Sequence, residues 1–426
     1  MYPSLATDYS EVTLNVSRVS TRHTRLDVIK SHIQRPMQKL DTRRDAVRGF
    51  SPAWFTASMG TGMVCMLLYG FPYDWAPLRY ISMGIALLNL LMFVIFLVLF
   101  VWRIVQYRDF HHILLHPQMS MSLGTIPMAL CTIINSLVRI LEPYEVSCMP
   151  MLVLVLWCIG VVFSVLSFLI IPFLVTSHQN HAFEKVNASL LLPVVPTVVA
   201  ATAGAFVASV SNGSTATTVV LISYMLWAMG VGIAMMLVTF YLTRLIIYKL
   251  PPKETIASTF IPVGPLGQSS YGIQLLGIQA KRVLPDSLPQ ISYLGDVLHS
   301  MGFFLGILIW ALAIWWLTHG IYAVIYTRFC GRVPFNLGWW ALIFPTGTFA
   351  SSSGELWTIT GYSFFGVLTA IVTVGIVILW IVVIVNTICY AWTGELLKPI
   401  NIKHLELHTD AEDSIESDKL TPELRV

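Results

Sequence analysis

Charge is scarce in this sequence and missing from the places where it would be most costly. Of 426 residues only 11% are Asp, Glu, Lys or Arg, against 56% hydrophobic, with a mean hydropathy of +0.74. That balance excludes a soluble multidomain chain and predicts a single integral membrane domain. None of the 22 acidic residues falls in the middle of an apolar segment. Between the polar ends they are Asp74, Asp109, Glu142, Glu145, Glu184, Glu254, Asp286, Asp296 and Glu355, all read as loop or span-end positions. A carboxylate at the bilayer centre is expensive and is usually retained for function. Its absence argues against a proton- or sodium-coupled carrier and against a cation pore ringed by Asp or Glu.

Catalytic signatures are missing as well. There is no G-x-x-x-x-G-K-[ST] loop for nucleotide hydrolysis, no H-E-x-x-H and no G-x-S-x-G, so an enzyme is not expected. The six cysteines (Cys65, Cys131, Cys148, Cys158, Cys330 and Cys389) form no C-x-x-C pair. Most lie in or beside apolar runs, where cysteine acts as a small hydrophobe, and no disulfide framework or metal site is expected. His111, His112 and His116, and then His178 and His181, gather in two loops and are read as solvated residues rather than ligands.

What the sequence does hold is ten helix-length apolar segments, at 51–70, 80–102, 119–140, 151–175, 189–210, 217–248, 257–279, 297–326, 336–354 and 363–392. Proline alternates along them. Pro52, Pro127, Pro193 and Pro196, Pro262 and Pro265, and Pro345 fall on the odd segments, whereas the even ones carry only Pro172. Proline removes a helix hydrogen bond and clashes with the preceding turn. In a membrane the freed backbone groups are tolerated only against protein or a water-filled cavity. The odd helices are therefore expected to be kinked and to face a central pathway, with the even helices toward lipid.

Ten spans put both ends on one side, and 21 of the 25 Lys and Arg fall on that side, which the positive-inside rule makes cytoplasmic. The expected organisation is a polar, basic tail over 1–49, a ten-helix transport domain over 50–393 and an acidic, disordered tail over 394–426. The first apolar run, from Ser51, is expected to act as an uncleaved signal anchor. Asn212 of the sequon Asn212-Gly213-Ser214 falls in an outer loop and is the glycosylation candidate. Tyr73, Trp75, Trp102, Tyr107 and Trp392 read as interface anchors.

The odd segments also carry Gly60-Thr61-Gly62, Gly124-Thr125, Gly264, Gly267-Gln268-Ser269-Ser270 and Thr346-Gly347-Thr348. Glycine permits close backbone approach, and hydroxyl or amide donors replace part of an anion's hydration shell. Gly60, Thr61, Gly62, Thr125, Gln268, Ser269, Thr346 and Thr348 are the candidate pathway lining. A lining without negative charge suits an anion or a neutral solute; the competing reading is that small residues merely permit helix packing.

These stretches, with Phe71-Pro72-Tyr73, the run GTIPMALCTIIN at 124–135, Gly264-Pro265-Leu266-Gly267-Gln268 and WWALIFPTGTF at 339–349, resemble the tellurite-resistance/dicarboxylate transporter family, and within it the fungal sulfite efflux pumps, from about Phe50 to Trp392. The resemblance implies an all-α membrane protein of ten transmembrane helices, built as five helical hairpins in quasi-five-fold arrangement with the odd helices around a pore. It also implies an aromatic gate at Phe344, beside the kink at Pro345, and a homo-oligomer, trimeric as in bacterial relatives. The expected function is facilitative sulfite efflux through the plasma membrane, conferring sulfite tolerance. The expected partners are the anion and membrane lipid, with no cofactor and no nucleic acid. A malate or other dicarboxylate transporter is the alternative within the family. A polytopic receptor or sensor fits less well, because ten spans leave no ligand-binding ectodomain.

Overall fold

A computed structural model describes residues 47–73 and 75–397, so nearly all of both expected tails lies outside the described residues. The described residues form helices joined by turns. Ten helices have fifteen residues or more: α1 Phe55–Tyr69, α2 Ala76–Tyr107, α3 Thr125–Leu141, α4 Met149–Ser177, α5 Val195–Ser209, α6 Gly213–Tyr248, α7 Val263–Ser287, α8 Leu294–Phe329, α9 Ile343–Thr360 and α10 Ser363–Trp392. Among the described residues six helical segments are long and apolar enough to cross a bilayer: the five even helices and Pro117–Tyr144, which contains α3.

Of the other odd helices α1 and α5 have only fifteen residues, whereas α7 and α9 are longer but less apolar than the even helices. Each of the four follows a 3-10 turn: Pro52–Trp54 before α1, Ala188–Leu191 before α5, Ile256–Phe260 before α7 and Leu337–Leu342 before α9. The prolines mark these junctions. Pro127, Pro196, Pro265 and Pro345 stand in the first turn of α3, α5, α7 and α9, and Pro52 opens the 3-10 turn ahead of α1. There the backbone N–H has no intrahelical partner to lose, and a fixed φ suits the helix start. The expected mid-helix kink is thus corrected to a change of pitch where the odd helices begin.

Consecutive helices pack in pairs, α1 on α2 through α9 on α10. The odd helices also touch one another in a closed cycle: α1 with α3, α3 with α5, α5 with α7, α7 with α9, and α9 with α1. Every residue of α5 but its last is buried. The even helices turn Leu87, Val162, Met225, Phe304 and Ile371 outward, as chains solvated by lipid do. Trp75, Trp102 and Trp392 are exposed near helix ends, as interface anchors would be.

Four other tryptophans join the even helices to the odd cycle. The indole N–H donates from Trp157 of α4 to the Ala200 carbonyl of α5 at 2.9 Å, and from Trp227 of α6 to the Ser269 carbonyl of α7 at 2.9 Å. Trp310 of α8 donates to Ser353 Oγ of α9 at 2.8 Å, and Trp380 of α10 to Thr61 Oγ1 of α1 at 3.1 Å. In each case an even helix donates to the odd helix that follows it around the cycle. On α2 an amide stands instead: Asn89 Oδ1 accepts from Ser58 Oγ of α1 at 2.7 Å.

Arginine ties the loops down at the end where the odd helices begin. Arg103, 1% exposed, donates to the Phe50 carbonyl at 2.5 Å and pairs with Asp109 at 2.8 Å, while Arg244 holds the carbonyls of Glu184 and Lys249. At the opposite end Lys281 pairs with Asp296 at 3.1 Å, and Arg282 donates to the carbonyls of Ala208 and Ser211. Asn212, exposed, precedes α6 at that same end. The six cysteines are free thiols.

Glycine sets the spacing. A Cβ on Gly302 or Gly306 would meet Ile273 O at 2.6 Å or Gln274 Cγ at 2.7 Å, so this pair packs α8 on α7 within the chain rather than against a second subunit. On Gly124 it would stand 2.1 Å from the Leu192 carbonyl oxygen, a backbone atom that cannot rotate away. Gly124→Ala is therefore expected to destabilise the fold by about 1–3 kcal/mol. Gly232→Ala, where a Cβ meets nothing within 4 Å, should instead stabilise α6 slightly. Thermal melting of the two purified variants in detergent checks the contrast.

Candidate functional site

All five odd helices contribute to one enclosed space at the centre of the cycle. Met63 and Met66 come from α1, Thr132 and Asn135 from α3, Val199 from α5, Gln268 and Tyr271 from α7, and Phe344 and Ser351 from α9. No residue of this lining is charged. The cavity is about 10 Å³, close to the minimum for a single water. Phe344, 2% exposed and in the first turn of α9, borders this cavity toward the end where the odd helices begin.

A second cavity, about 240 Å³, adjoins the first through the shared residues Met66, Tyr271 and Ser351. Its wall includes Gly70, Phe71, Arg139, Glu355, Trp357 and Thr358, toward the ends of α1, α3 and α9. The two cavities thus lie side by side along the odd helices: a small neutral one bordered by Phe344, and a larger one bordered by one cation and one carboxylate. Glu355 corrects the expected placement of the acids. Helix α9 continues to Thr360, so this carboxylate lies within an odd helix and beside the larger cavity rather than beyond the helix end.

Of the candidate lining residues, Gln268 reaches the central cavity, as does the candidate gate Phe344. The others are turned into helix contacts. Gly60 faces Trp340, and Gly62 faces Thr132 and Asn89, at distances that leave no room for a Cβ. Thr61 donates to the Ala57 carbonyl while accepting from Trp380. Thr125 Oγ1 donates to the Ser122 carbonyl at 2.7 Å and lies 3.1 Å from the Pro52 carbonyl, joining the starts of α3 and α1. Ser269 bonds back to the Pro265 carbonyl, and Thr348 to the carbonyls of Pro345 and Gly264. Thr346 is half-buried and outside both cavity linings.

Part of the two cavity linings falls on single helix faces: Met63 and Met66 on α1; Thr132, Asn135 and Arg139 on α3; Gln268 and Tyr271 on α7; Phe344, Ser351 and Glu355 on α9. Steps of three, four and seven hold one face of a helix. That spacing, applied from Phe344 along α9, would have found Glu355. The loop histidines stay apart from both cavities. Burial foremost, with Arg103 nearby, holds His116 below the ordinary imidazole value, and its Nδ1 accepts from the backbone N–H of Gln118 and Met119. Among the described residues no group of three or more His, Cys, Asp or Glu is arranged to hold a metal.

Comparison with known proteins defines the class. Residues 49–388 match the family model described as the voltage-dependent anion channel. The chain belongs to this family, whose members are transport proteins of the membrane and not enzymes. Among curated relatives, the sulfite efflux pump of Arthroderma benhamiae is 35% identical over 373 residues, 86% of this chain and 98% of that protein. The sulfite efflux pump of Candida albicans is 28% identical over 363 residues, 80% of this chain and 72% of that protein. The malic acid transport protein of Schizosaccharomyces pombe is 23% identical over 372 residues, 83% of each chain.

Arg139 and Glu355 border the larger cavity together. Arg139→Gln should leave the carboxylate unopposed and lower anion flux by about tenfold, equivalent to roughly 1.4 kcal/mol of barrier. Arg139→Gln combined with Glu355→Gln should recover most of that loss. Flux into liposomes, measured for both variants, tests the pairing.

Proposed function

We propose that this chain is a sulfite exporter of the plasma membrane, facilitative and channel-like, that confers sulfite tolerance. The observation that carries the reading is the neutral central cavity to which all five odd helices contribute and which Phe344 borders. In this reading the ten helices all span the bilayer as five hairpins in quasi-five-fold arrangement, and the odd helices line a pore. The names of the Arthroderma and Candida relatives support sulfite as the anion. Both tails are placed in the cytoplasm by the excess of Lys and Arg in the tails and inner loops. Asn212 is then extracellular and available for glycosylation. A negative cytoplasm favours anion exit by about 2.3 kcal/mol per charge per 100 mV, so export needs no nucleotide. The family resemblance supports a trimer with one pathway in each subunit.

A dicarboxylate substrate has one observation in its favour, Arg139 in the larger cavity, together with the name of the Schizosaccharomyces relative. Against it stands the central cavity, whose lining offers no cation. The two charges of malate would meet an uncharged wall there.

Phe344 blocks because an aromatic ring excludes a hydrated ion and offers no hydrogen bond in exchange. Purified protein in liposomes under an imposed potential should pass sulfite, malate should not compete, and Phe344→Ala should raise the basal flux severalfold. Malate uptake with little sulfite movement would reverse the order of the two readings. A variant with native flux would remove Phe344 as the gate.

A further inference from the structure

The central cavity holds hydrogen-bonding capacity that the fold does not use. Gln268, 2% exposed, and Asn135, 6% exposed, line it from α7 and α3, and neither Gln268 Oε1 nor Asn135 Oδ1 has a partner. Buried polar atoms are ordinarily satisfied, and of the fifteen buried side-chain atoms without a partner among the described residues these two carbonyls alone belong to residues lining the cavity, where a ligand can meet them. The hydroxyls nearby are already turned elsewhere as donors: Thr132 to the Ala129 carbonyl at 2.8 Å and Ser351 to Met63 Sδ at 3.7 Å. Each amide presents a carbonyl acceptor together with an N–H donor. The complementary ligand must therefore accept hydrogen bonds and also bring a hydrogen of its own.

Resting on the reading of the chain as a sulfite exporter, we propose that the form taken into the cavity is the hydrogen sulfite monoanion and that the sulfite dianion is refused. The hydrogen of the monoanion is donated to the orphaned carbonyl of Gln268 or Asn135, while its oxygens accept from the amide N–H groups. The dianion has acceptor oxygens only and would face those carbonyls unpaired. It would also carry about four times the desolvation cost, which scales with the square of charge, into a site with no fixed cation. Tyr271 is the one titratable side chain in this lining. The faces of α1, α5 and α9 around it bring Met63, Met66, Val199, Phe344 and Ser351, and Arg139 and Glu355 stand beyond it in the larger cavity.

The test uses the full-length protein in liposomes, with flux in protein-free vesicles subtracted and pH stepped through the second ionisation of sulfurous acid. Charge moved and sulfur moved are measured together. The expected result is one charge per sulfur atom, with flux at fixed total sulfite falling as pH rises in step with the hydrogen sulfite fraction. Nitrate keeps its charge over this range, so its flux reads the titration of the protein itself and serves as the reference. Gln268→Met should lower the sulfite-to-nitrate flux ratio by about tenfold or more. Two charges per sulfur, or flux that follows the dianion, would overturn the proposal. An unchanged ratio in both Gln268→Met and Asn135→Leu would do the same. Nitrate flux without sulfite flux at any pH would overturn the sulfite reading itself.

Discussion

Hydrocarbon offers no hydrogen bonds, so every polar group that this chain turns away from water must be answered by another part of the chain. That constraint shapes the walls of the path. The indoles of Trp157, Trp227, Trp310 and Trp380 each spend their single N–H on the odd helix that follows, and so lock an outer helix to an inner one. Between α7 and α9 the hydroxyls of Ser270 and Ser352 lie 2.6 Å apart, and Gln274 Nε2 bonds to both. Gln274 Oε1 is itself among the buried side-chain atoms of the described residues left without a partner, but of those atoms only the carbonyls of Gln268 and Asn135 belong to residues that line the central cavity.

The same constraint explains why the odd helices can be short and rich in proline. A broken helix start facing lipid would expose backbone groups with no partner, whereas one enclosed by neighbours can be met by them. Thr125 reaching toward the Pro52 carbonyl and Thr348 toward the Gly264 carbonyl are such contacts, each linking the start of one odd helix to another. Glycine then lets the backbones close up: Gly267 meets the backbone around Thr348 and Phe349, and Gly347 meets Met63, where a Cβ would collide. Small residues draw the helices together, and larger ones on the adjacent face fill the little space that remains.

Much of this was legible in the sequence, though not evenly. Hydropathy marks the even helices because lipid selects for it, and proline marks the odd ones because only enclosed helices tolerate it. The candidate gate Phe344 came from the family resemblance, and it borders the central cavity. The other candidate lining residues rested on the assumption that small polar residues line a path, and of them only Gln268 borders either cavity. Gly60, Thr61, Gly62 and Thr125 are instead the residues that let helices touch. The actual lining reads as ordinary core when taken singly: a methionine, a valine, a tyrosine, an asparagine. Only its three-, four- and seven-residue spacing on several helices sets it apart. Glu355 was misplaced because hydropathy ended the ninth span one residue too soon, whereas the helix itself continues past it.

Contacts this tight also limit how a path of this kind can open. Where a glycine touches a backbone atom of a neighbouring helix, as Gly302 of α8 touches Ile273 of α7, a rigid shift of one helix would collide before a passage appeared. Side chains are the softer element. Met63 and Met66 are unbranched and repack at low cost, and both border the cavity that Phe344 borders. Rotation of one ring, with two thioethers yielding behind it, would join the end where the odd helices begin to the larger chamber beyond Tyr271 without disturbing a single indole bond. A neutral constriction opened in this way leaves the larger chamber, with Arg139 and Glu355, to set how anions gather. Passage itself is then left to the fit between the anion's hydrogen bonds and those of two amides.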